Sequence, residues 1–228
     1  MPSQILSKQR VADHGEVFTS PREVDAMLDL VKQETERIDS RFLEPACGTG
    51  NFLTEILNRK LRIVESRYRR SQLEFERNLV LAISSIYGID ILEDNVNECR
   101  KRLFEIADKK YTALFKQKAK NELRHALKFI LGKNIIWGDA LDLKTVGATP
   151  HQIIFSEWSF PFNNSQIKRR DFVFAELMPN ESNKGNQPKM FSSNEHISDI
   201  GTKEFIPTET RSYPSIHFLR VGEEKEHD

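Results

Sequence analysis

The chain of 228 residues carries 34 basic and 34 acidic side chains, so its formal net charge is zero. This balance excludes a global electrostatic attraction to nucleic acid, and any contact with a phosphate backbone must come from a local patch. Two cysteines, Cys47 and Cys99, give no disulfide framework, and no Cys-x-x-Cys pair or His/Cys cluster indicates a metal site. No stretch approaches the roughly 20 apolar residues of a membrane helix, so we expect a soluble, cytoplasmic protein.

The amino-terminal part of the chain predicts a helix followed by a short strand. Apolar residues recur at helical spacing from Val24 to Val31, and Ser20-Pro21 before them is typical of a helix cap and first turn. An apolar strand ends at Phe42-Leu43, and Pro45, which has no N–H for a sheet ladder, stops it. The strand therefore runs directly into a turn.

The most informative segment is the glycine loop, Glu44-Pro-Ala-Cys-Gly-Thr-Gly-Asn-Phe52. Gly48 and Gly50 permit a positive φ and let the backbone approach a ligand that a Cβ would exclude. Apolar residues follow from Phe52 at helical spacing, so the loop presents its ligand to a helix N-terminus. The dinucleotide fingerprint requires a third glycine that is missing here. The alternative interpretation is a strand–turn–helix with chance glycines.

The middle of the chain alternates helical and strand patterns. Lys60 to Asn78 is charged and predicts a solvated helix, and the β-branched Ile86 to Ile91 predicts a buried strand. Glu93 to Ala107 predicts an amphipathic helix, and a basic, polar stretch follows from Lys109 to Lys120. The next predicted elements are a helix at Leu123–Leu131, a strand at Ile135–Asp139 and a short strand at Ile153–Phe155. This alternation predicts a doubly wound, mostly parallel α/β sheet with ligand groups at the carboxyl ends of its strands.

The last fifty residues differ in character, so we divide the chain into a domain at residues 1–178 and a polar, irregular segment at 179–228. From Pro179 to Thr210 few apolar residues and no periodicity remain, which indicates a loop or a segment that contacts a partner or DNA. Tyr213 to Val221 is compatible with one last strand.

Three acids end three successive predicted strands: Glu44, Asp90 and Asp139. In an open parallel sheet these ends line a single crevice. An acid beyond the second strand can accept both ribose hydroxyls of a nucleoside, and one beyond the third can accept the amino group of an adenine ring. Each acid alone is equally explained as an ordinary strand-end cap. The candidate apolar faces for the base are Ile91 and either Trp137 or Ala140.

The glycine loop resembles the S-adenosylmethionine loop of amino-DNA methyltransferases, and further motifs extend the likeness over most of the first 175 residues. His14-Gly-Glu-Val-Phe-Thr-Ser-Pro21 resembles the segment that closes over the methionine end of the cofactor in adenine-specific enzymes with the gamma order of motifs. Tyr87-Gly-Ile-Asp-Ile91 matches their ribose-binding turn, and Trp137-Gly-Asp-Ala140 their adenine-binding turn. The resemblance implies a Rossmann-like class I methyltransferase of a restriction–modification system that uses S-adenosylmethionine. The cofactor-binding residues it implies are Glu16, Phe18, Thr19, Glu44, Ala46, Gly48, Gly50, Asn51, Asp90, Ile91, Asp139 and Ala140.

The resemblance also implies roles at the methionine end of the cofactor. Phe18 would cover the glycine loop, Thr19 would hydrogen-bond the methionine carboxylate, and Glu44 would face the methionine ammonium. The alternative for Phe18 is a hydrophobic staple of the following helix.

The target-base motif of these relatives is missing. They flip the base out of the duplex and hold it with Asn or Asp, Pro, Pro, then Tyr or Phe, but this sequence contains no Pro-Pro. The nearest candidate is Ser159-Phe-Pro-Phe162, which makes Ser159, Pro161 and Phe162 the candidate catalytic residues. Serine accepts one hydrogen bond but cannot hold an amine as an amide oxygen does.

Several explanations of the missing motif remain open. Either the chain is the cofactor-binding half of a split adenine-specific methyltransferase, with the motif on a second methyltransferase or specificity polypeptide or on a downstream fragment, or it is a non-catalytic subunit that binds S-adenosylmethionine or positions DNA. Methylation of RNA or of a protein amide is a further alternative. Duplex DNA should bind weakly to the chain alone. The candidate phosphate contacts are Lys168, Arg169 and Arg170 within Gln166–Phe172, and the stretch Lys109–Lys120, unless these are simply solvated faces.

Overall fold

A computed structural model describes residue 10 and residues 19–162, 164–177, 195–197, 203–205 and 208–223. The helices are α1 (Pro21–Asp29), α2 (Lys32–Thr35), α3 (Asn51–Tyr68), α4 (Gln72–Ser84), α5 (Glu93–Phe115), α6 (Asn121–Asn134) and α7 (Phe174–Leu177), with 3₁₀ turns at Lys116–Lys118 and Phe218–Glu223. The strands are β1 (Phe42–Glu44), β2 (Ile86–Asp90), β3 (Ile135–Asp139), β4 (Lys144–Thr145), β5 (Ile154–Ser159), β6 (Gln166–Val173), β7 (Glu195–Ile197), β8 (Lys203–Phe205), β9 (Arg211–Ser212) and β10 (Ile216–His217).

The central sheet has the strand order β1-β2-β3-β4. β1, β2 and β3 are parallel, and the two-residue β4 is antiparallel to β3. Every residue of β2 is buried, which explains its β-branched composition. Ile86 belongs to the main core with the helices, whereas Tyr87 and Ile89 belong to a second core on the other face. The mixed α/β fold with a mostly parallel sheet is compatible with a methyltransferase fold.

The predicted cap of α1 is confirmed. The Ser20 side chain accepts a hydrogen bond from the Glu23 N–H, the Glu23 carboxylate accepts one from the Ser20 N–H, and Pro21 is the first helical residue. The helix ends at Asp29 instead of Val31, and Val24 and Leu28 are its buried residues.

The solvated helix predicted for Lys60–Asn78 is wrong in two respects. The segment contains the end of α3 and most of α4, which are separate helices. The Lys60 ammonium is buried and donates to the carbonyl oxygens of Ile38 and Ser40 and to the Ser85 Oγ. It thereby connects the segment before β1 to the residue before β2. A charge pattern in the sequence does not reveal a lysine whose ammonium is buried and hydrogen-bonded within the fold. Burial of the ammonium lowers the pKa of Lys60 to about 7.

The basic stretch Lys109–Lys120 is mostly helical, because α5 continues to Phe115 and a 3₁₀ turn follows at Lys116–Lys118. Two of its lysines form ion pairs. Lys110 Nζ lies 2.6 Å from the Glu65 carboxylate, and Lys120 Nζ lies 2.8 Å from the buried Glu76 carboxylate.

The short strand predicted at Ile153–Phe155 does not extend the parallel sheet. β5 pairs antiparallel with β6 along its whole length, from Ile154 opposite Val173 to Ser159 opposite Lys168. Ile153 and Phe155 pack instead on Tyr87 and Ile89, over the sheet face that lies opposite the main core. An apolar run predicts a buried strand but does not determine its partner or its direction.

The end of the chain joins the main core. Phe218 and Val221 are fully buried there, and the 3₁₀ turn that carries them packs against α6. The last strand predicted at Tyr213–Val221 is reduced to β10, which pairs with β6. The division at residue 178 stays a prediction, and most of the polar segment lies outside the described residues.

Candidate cofactor site

A cavity of about 570 Å³ lies at the carboxyl ends of β1, β2 and β3. The three strand-end acids of the sequence analysis, Glu44, Asp90 and Asp139, line this single cavity as the parallel order requires. Its other lining residues are Thr19, Pro45, Ala46, Cys47, Gly48, Asn51, Phe52, Ile91, Leu92, Asn95, Gly138, Ala140 and Leu141.

The glycine loop has the backbone that its sequence predicts. Gly48 (φ 52°) and Gly50 (φ 86°) are both left-handed, and Gly50 is the N-cap of α3. A Cβ on Gly50 would lie 2.6 Å from the Cys99 sulfur, so this glycine packs beneath the loop while Gly48 faces the cavity. Contact with Cys99 and burial raise the pKa of the Cys47 thiol and so favour its protonated form.

Asp90 organises the loop as well as facing the cavity. Its Oδ2 accepts a hydrogen bond from the Gly48 N–H (2.8 Å), and its Oδ1 accepts from the Leu92 N–H (2.9 Å) and the Asn95 amide (3.2 Å). A carboxylate offers about four acceptor positions. Asp90 therefore keeps room for about one ligand hydroxyl.

Asp139 and Glu44 are less engaged. Asp139 Oδ1 accepts from the Leu141 N–H (2.8 Å), and no described residue donates to Asp139 Oδ2. Glu44 accepts one hydrogen bond, from the Ala46 N–H (3.3 Å). Burial raises the pKa of Glu44, against the lowering effect of that hydrogen bond. No cation among the described residues forms an ion pair with Glu44, so the site suits a ligand cation there.

Arg102 of α5 holds the glycine loop from outside. Its Nη1 lies 2.6 Å from the Thr49 carbonyl oxygen and 3.0 Å from the Asn51 Oδ1. The Asn51 amide in turn donates to the Thr19 carbonyl oxygen (3.1 Å). Arg102 and Asn51 thereby join helix α5, the glycine loop and the segment before α1. No sequence motif signals Arg102, because its role depends on α5 passing beside the loop.

A known protein family matches the part of the chain that forms this cavity. The family model described as MmeI, DNA-methyltransferase domain, matches residues 19–165, more than half of the sequence. The chain belongs to this family. Membership supports a DNA methyltransferase of a restriction–modification system, whose substrate is DNA. Neither a curated protein nor a solved structure matches the chain.

The cavity of this methyltransferase domain brings together most of the predicted cofactor residues. Glu16 and Phe18 lie outside the described residues, and Trp137 does not line the cavity but donates its indole N–H to the Ile91 carbonyl oxygen. The predicted residues that line the cavity are Thr19, Glu44, Ala46, Gly48, Asn51, Asp90, Ile91, Asp139 and Ala140. Lining residues absent from the prediction include Phe52, Leu92, Asn95 and Leu141.

The candidate catalytic tetrapeptide is not brought to this cavity. Ser159 ends β5, and Pro161 and Phe162 form the exposed turn towards β6. The preceding Trp158 donates its indole N–H to Asn134 at the start of β3, the opposite end of that strand from the cavity. Because β5 is not a parallel strand of the central sheet, the residues after it do not reach the sheet's carboxyl edge.

The basic segment of β6 is largely neutralised. Arg169 is buried and donates from Nε and Nη2 to the Asp171 carboxylate, both at 2.8 Å. Arg170 forms an ion pair with Glu157 across the β5–β6 ladder. Arg169 is thus part of the core and not the phosphate contact that its sequence neighbours indicated. No helix in the described part of the chain is long and apolar enough to cross a membrane.

Proposed function

We propose that this chain is the S-adenosylmethionine-binding subunit of an adenine-specific restriction–modification DNA methyltransferase with a Rossmann-like class I fold. One observation carries the proposal. Three strand-end acids and a left-handed glycine loop line a cavity of about 570 Å³, a size within the usual range for small-molecule sites.

The cavity lining offers a complementary group for each part of the cofactor. Glu44, whose pKa is raised by burial, would meet the methionine ammonium, and Thr19 would meet the methionine carboxylate. Asp90 has capacity for a ribose hydroxyl, and Asp139 Oδ2 for the adenine amine. The cofactor supplies an electrophilic methyl group on a sulfonium. The apolar faces for its base are Ile91 and Ala140.

The second half of the proposal is that a second polypeptide or a downstream fragment holds the target base. Transfer to an exocyclic amine needs acceptors that fix the amine in line with the methyl group, and positioning of this kind is worth several kcal/mol. The two asparagines of the cavity are already engaged: Asn51 with Arg102 and Thr19, and Asn95 with Asp90 and Arg10. The described lining of the cavity thus provides no spare side-chain amide for the target amine.

Titration calorimetry of the purified chain with S-adenosylmethionine tests the cofactor assignment. We expect one bound cofactor per chain and a raised melting temperature, because a ligand selective for the folded state stabilises it. Absence of binding by a folded chain would refute the assignment.

A non-catalytic, DNA-positioning subunit is the second candidate, favoured by the distance of Ser159, Pro161 and Phe162 from the cavity. Methyl transfer by this chain together with a second methyltransferase or specificity polypeptide separates the two. If Asp139→Asn in this chain leaves methyl transfer by the complex unchanged, the cofactor acts elsewhere and the second candidate is correct. Replacing the duplex by RNA or by a glutamine-containing peptide tests the other acceptor classes.

A further inference from the structure

Two turns of the chain meet at the end of the domain opposite the candidate cofactor site. One connects α3 to α4, and the other follows α5 and contains the 3₁₀ turn Lys116–Lys118. The Gln72 side-chain amide joins them, because it donates to the Lys118 carbonyl oxygen (2.7 Å) and to the hydroxyl of Tyr111 in α5 (3.1 Å). These turns and the helix end that leads into them carry five exposed cations, here called the basic turn surface: Arg67, Arg69, Arg70, Lys116 and Lys118.

No acid of the described chain forms an ion pair with any of these five cations. Acids of the adjoining helices are instead paired with other basic side chains. The chain as a whole has a formal net charge of zero, so the excess of positive charge here is local. The acids already paired in this way are Glu65 with Lys110, Glu74 with Arg77, Glu76 with Lys120 and Asp108 with Arg124.

Helix termini do not account for the basic turn surface. A helix C-terminus carries about half a negative charge and attracts cations, whereas an N-terminus carries about half a positive charge. α3 and α5 end at this surface, but α4 and α6 begin there, so the four terminal charges nearly cancel. Glu122 in the first turn of α6 matches the positive end of that helix. The five cations therefore exceed what the helix ends can offset.

Lys116 has a backbone conformation that normally belongs to glycine. It is the C-cap of α5, with φ 49° and ψ −120°. Helices commonly end on a glycine at positive φ, because a Cβ is disfavoured there. Strained residues of this kind cluster at functional sites. A glycine at this position would relieve the backbone but would remove one cation from the surface.

The basic turn surface and the candidate cofactor site lie at opposite ends of the same helices. α3 begins at Asn51 and α5 begins directly after Leu92, and both residues line the cavity. α3 has 18 residues, so it is about 27 Å long. A base presented to the cavity is therefore about one helix length away from the five cations. A phosphate bound by these cations belongs to a different stretch of nucleic acid.

We propose that the basic turn surface binds the phosphate backbone of a second segment of duplex DNA, separate from the segment that is methylated. This inference goes beyond the proposed function and does not depend on cofactor binding. Membership of a DNA-methyltransferase family makes DNA the polyanion that this chain meets, and an arginine guanidinium pairs with phosphate through two parallel hydrogen bonds. Phosphate contacts carry no sequence information. The surface therefore retains the chain on DNA of any sequence.

Fluorescence anisotropy of the full chain with a short labelled duplex of arbitrary sequence tests this inference. Each neutralised phosphate contributes about −0.9 to the slope of log K against log salt, so five contacts predict a slope of about −4.5. The triple variant Arg67→Gln/Arg69→Gln/Arg70→Gln should reduce the slope to about −1.8 and weaken binding at least tenfold at low salt. A wild-type slope near zero would overturn the inference.

A second triple variant, Lys32→Gln/Lys101→Gln/Arg220→Gln, is the matched control. It removes the same charge from exposed positions, but each of its three cations already forms an ion pair, with Glu36, Glu98 and Glu223 respectively. Its salt slope and affinity should equal those of the wild type. Equal losses in the two variants would show that binding follows net charge and not this surface, which would overturn the inference.

Acetylation of lysines in the wild-type chain locates the DNA without any substitution. Duplex DNA should slow the modification of Lys116 and Lys118 at least fivefold and leave Lys32 and Lys101 unaffected, as measured by mass spectrometry. DNA binding that leaves Lys116 and Lys118 unprotected would overturn the inference. Poly-glutamate that binds as tightly as the duplex and protects the same two lysines would overturn it in favour of an acidic protein partner.

Discussion

We expect Arg102→Ala to weaken binding of S-adenosylmethionine while the domain stays folded. The substitution removes the donor 2.6 Å from the Thr49 carbonyl oxygen and 3.0 Å from the Asn51 Oδ1. The cofactor itself would then have to order the glycine loop. The Asn51 side chain would also be less restrained, which weakens its hydrogen bond to the Thr19 carbonyl oxygen.

The expected size follows from the contacts of the guanidinium. A hydrogen bond to a charged group contributes about 1.5–3 kcal/mol. Arg102 is only half-buried, so water can replace some of the hydrogen bonding that the guanidinium supplies. We therefore expect cofactor binding to weaken by about 1–2 kcal/mol, roughly 5- to 30-fold in Kd.

Arg100→Ala is the matched control on the same helix. Arg100 is also half-buried, and its Nε donates to the Ile135 carbonyl oxygen (2.9 Å), away from the glycine loop. Calorimetry and thermal melting of both variants form the assay. Both should lower the melting temperature, but only Arg102→Ala should change Kd. Equal affinities in the two variants would refute the positioning role.

Three further predictions concern single side chains. Asp139→Asn replaces the proposed acceptor for the adenine amine and should weaken cofactor binding about tenfold (roughly 1.4 kcal/mol), whereas the neighbouring Asp142→Asn should not. Equal Kd values for the two variants by calorimetry would refute the proposed adenine contact. Cofactor affinity should fall as pH is lowered through the raised pKa of Glu44, because a cation binds the ionised carboxylate, and Glu44→Gln should flatten that profile. Burial lowers the pKa of Lys60 from 10.5 to about 7, so between these values the unfolded chain binds a proton that the folded chain does not. The free energy of unfolding should therefore rise with pH by at most about 5 kcal/mol, and urea titrations of Lys60→Met should not show this rise.

Most residues that line the candidate site can be predicted from the sequence, because the signals that place them are local. Glycines with positive φ, a proline that stops a strand and an acid at each strand end are determined by a few neighbouring residues. Once Glu44, Asp90 and Asp139 are assigned to parallel strands, their convergence follows from the sheet alone. The role of Arg102 cannot be predicted from the sequence, because its partner Thr49 lies about fifty residues away and no motif links the two.

The predictions that the structure contradicts depend on long-range pairing and on burial. The apolar run near Ile153 predicted a strand, but its antiparallel partner β6 depends on packing that periodicity does not contain. The basic run at Lys168–Arg170 is typical of a phosphate contact in the sequence. In the structure, Asp171 neutralises Arg169 and Glu157 neutralises Arg170. Lys60 resembled a solvated residue, but its ammonium is satisfied by two backbone oxygens before β1 and by the Ser85 hydroxyl before β2.

The central claim is that this chain binds the methyl donor and depends on a second chain to hold the target base. Its most direct test measures methyl transfer from labelled S-adenosylmethionine to unmethylated duplex DNA, by the purified chain alone and with a second polypeptide that carries an Asn/Asp-Pro-Pro-Tyr/Phe segment. We predict little or no transfer by the chain alone, and robust transfer to adenine by the pair that Asp139→Asn in this chain diminishes. Robust transfer by the single chain, abolished by Ser159→Ala or Phe162→Ala, would contradict the account.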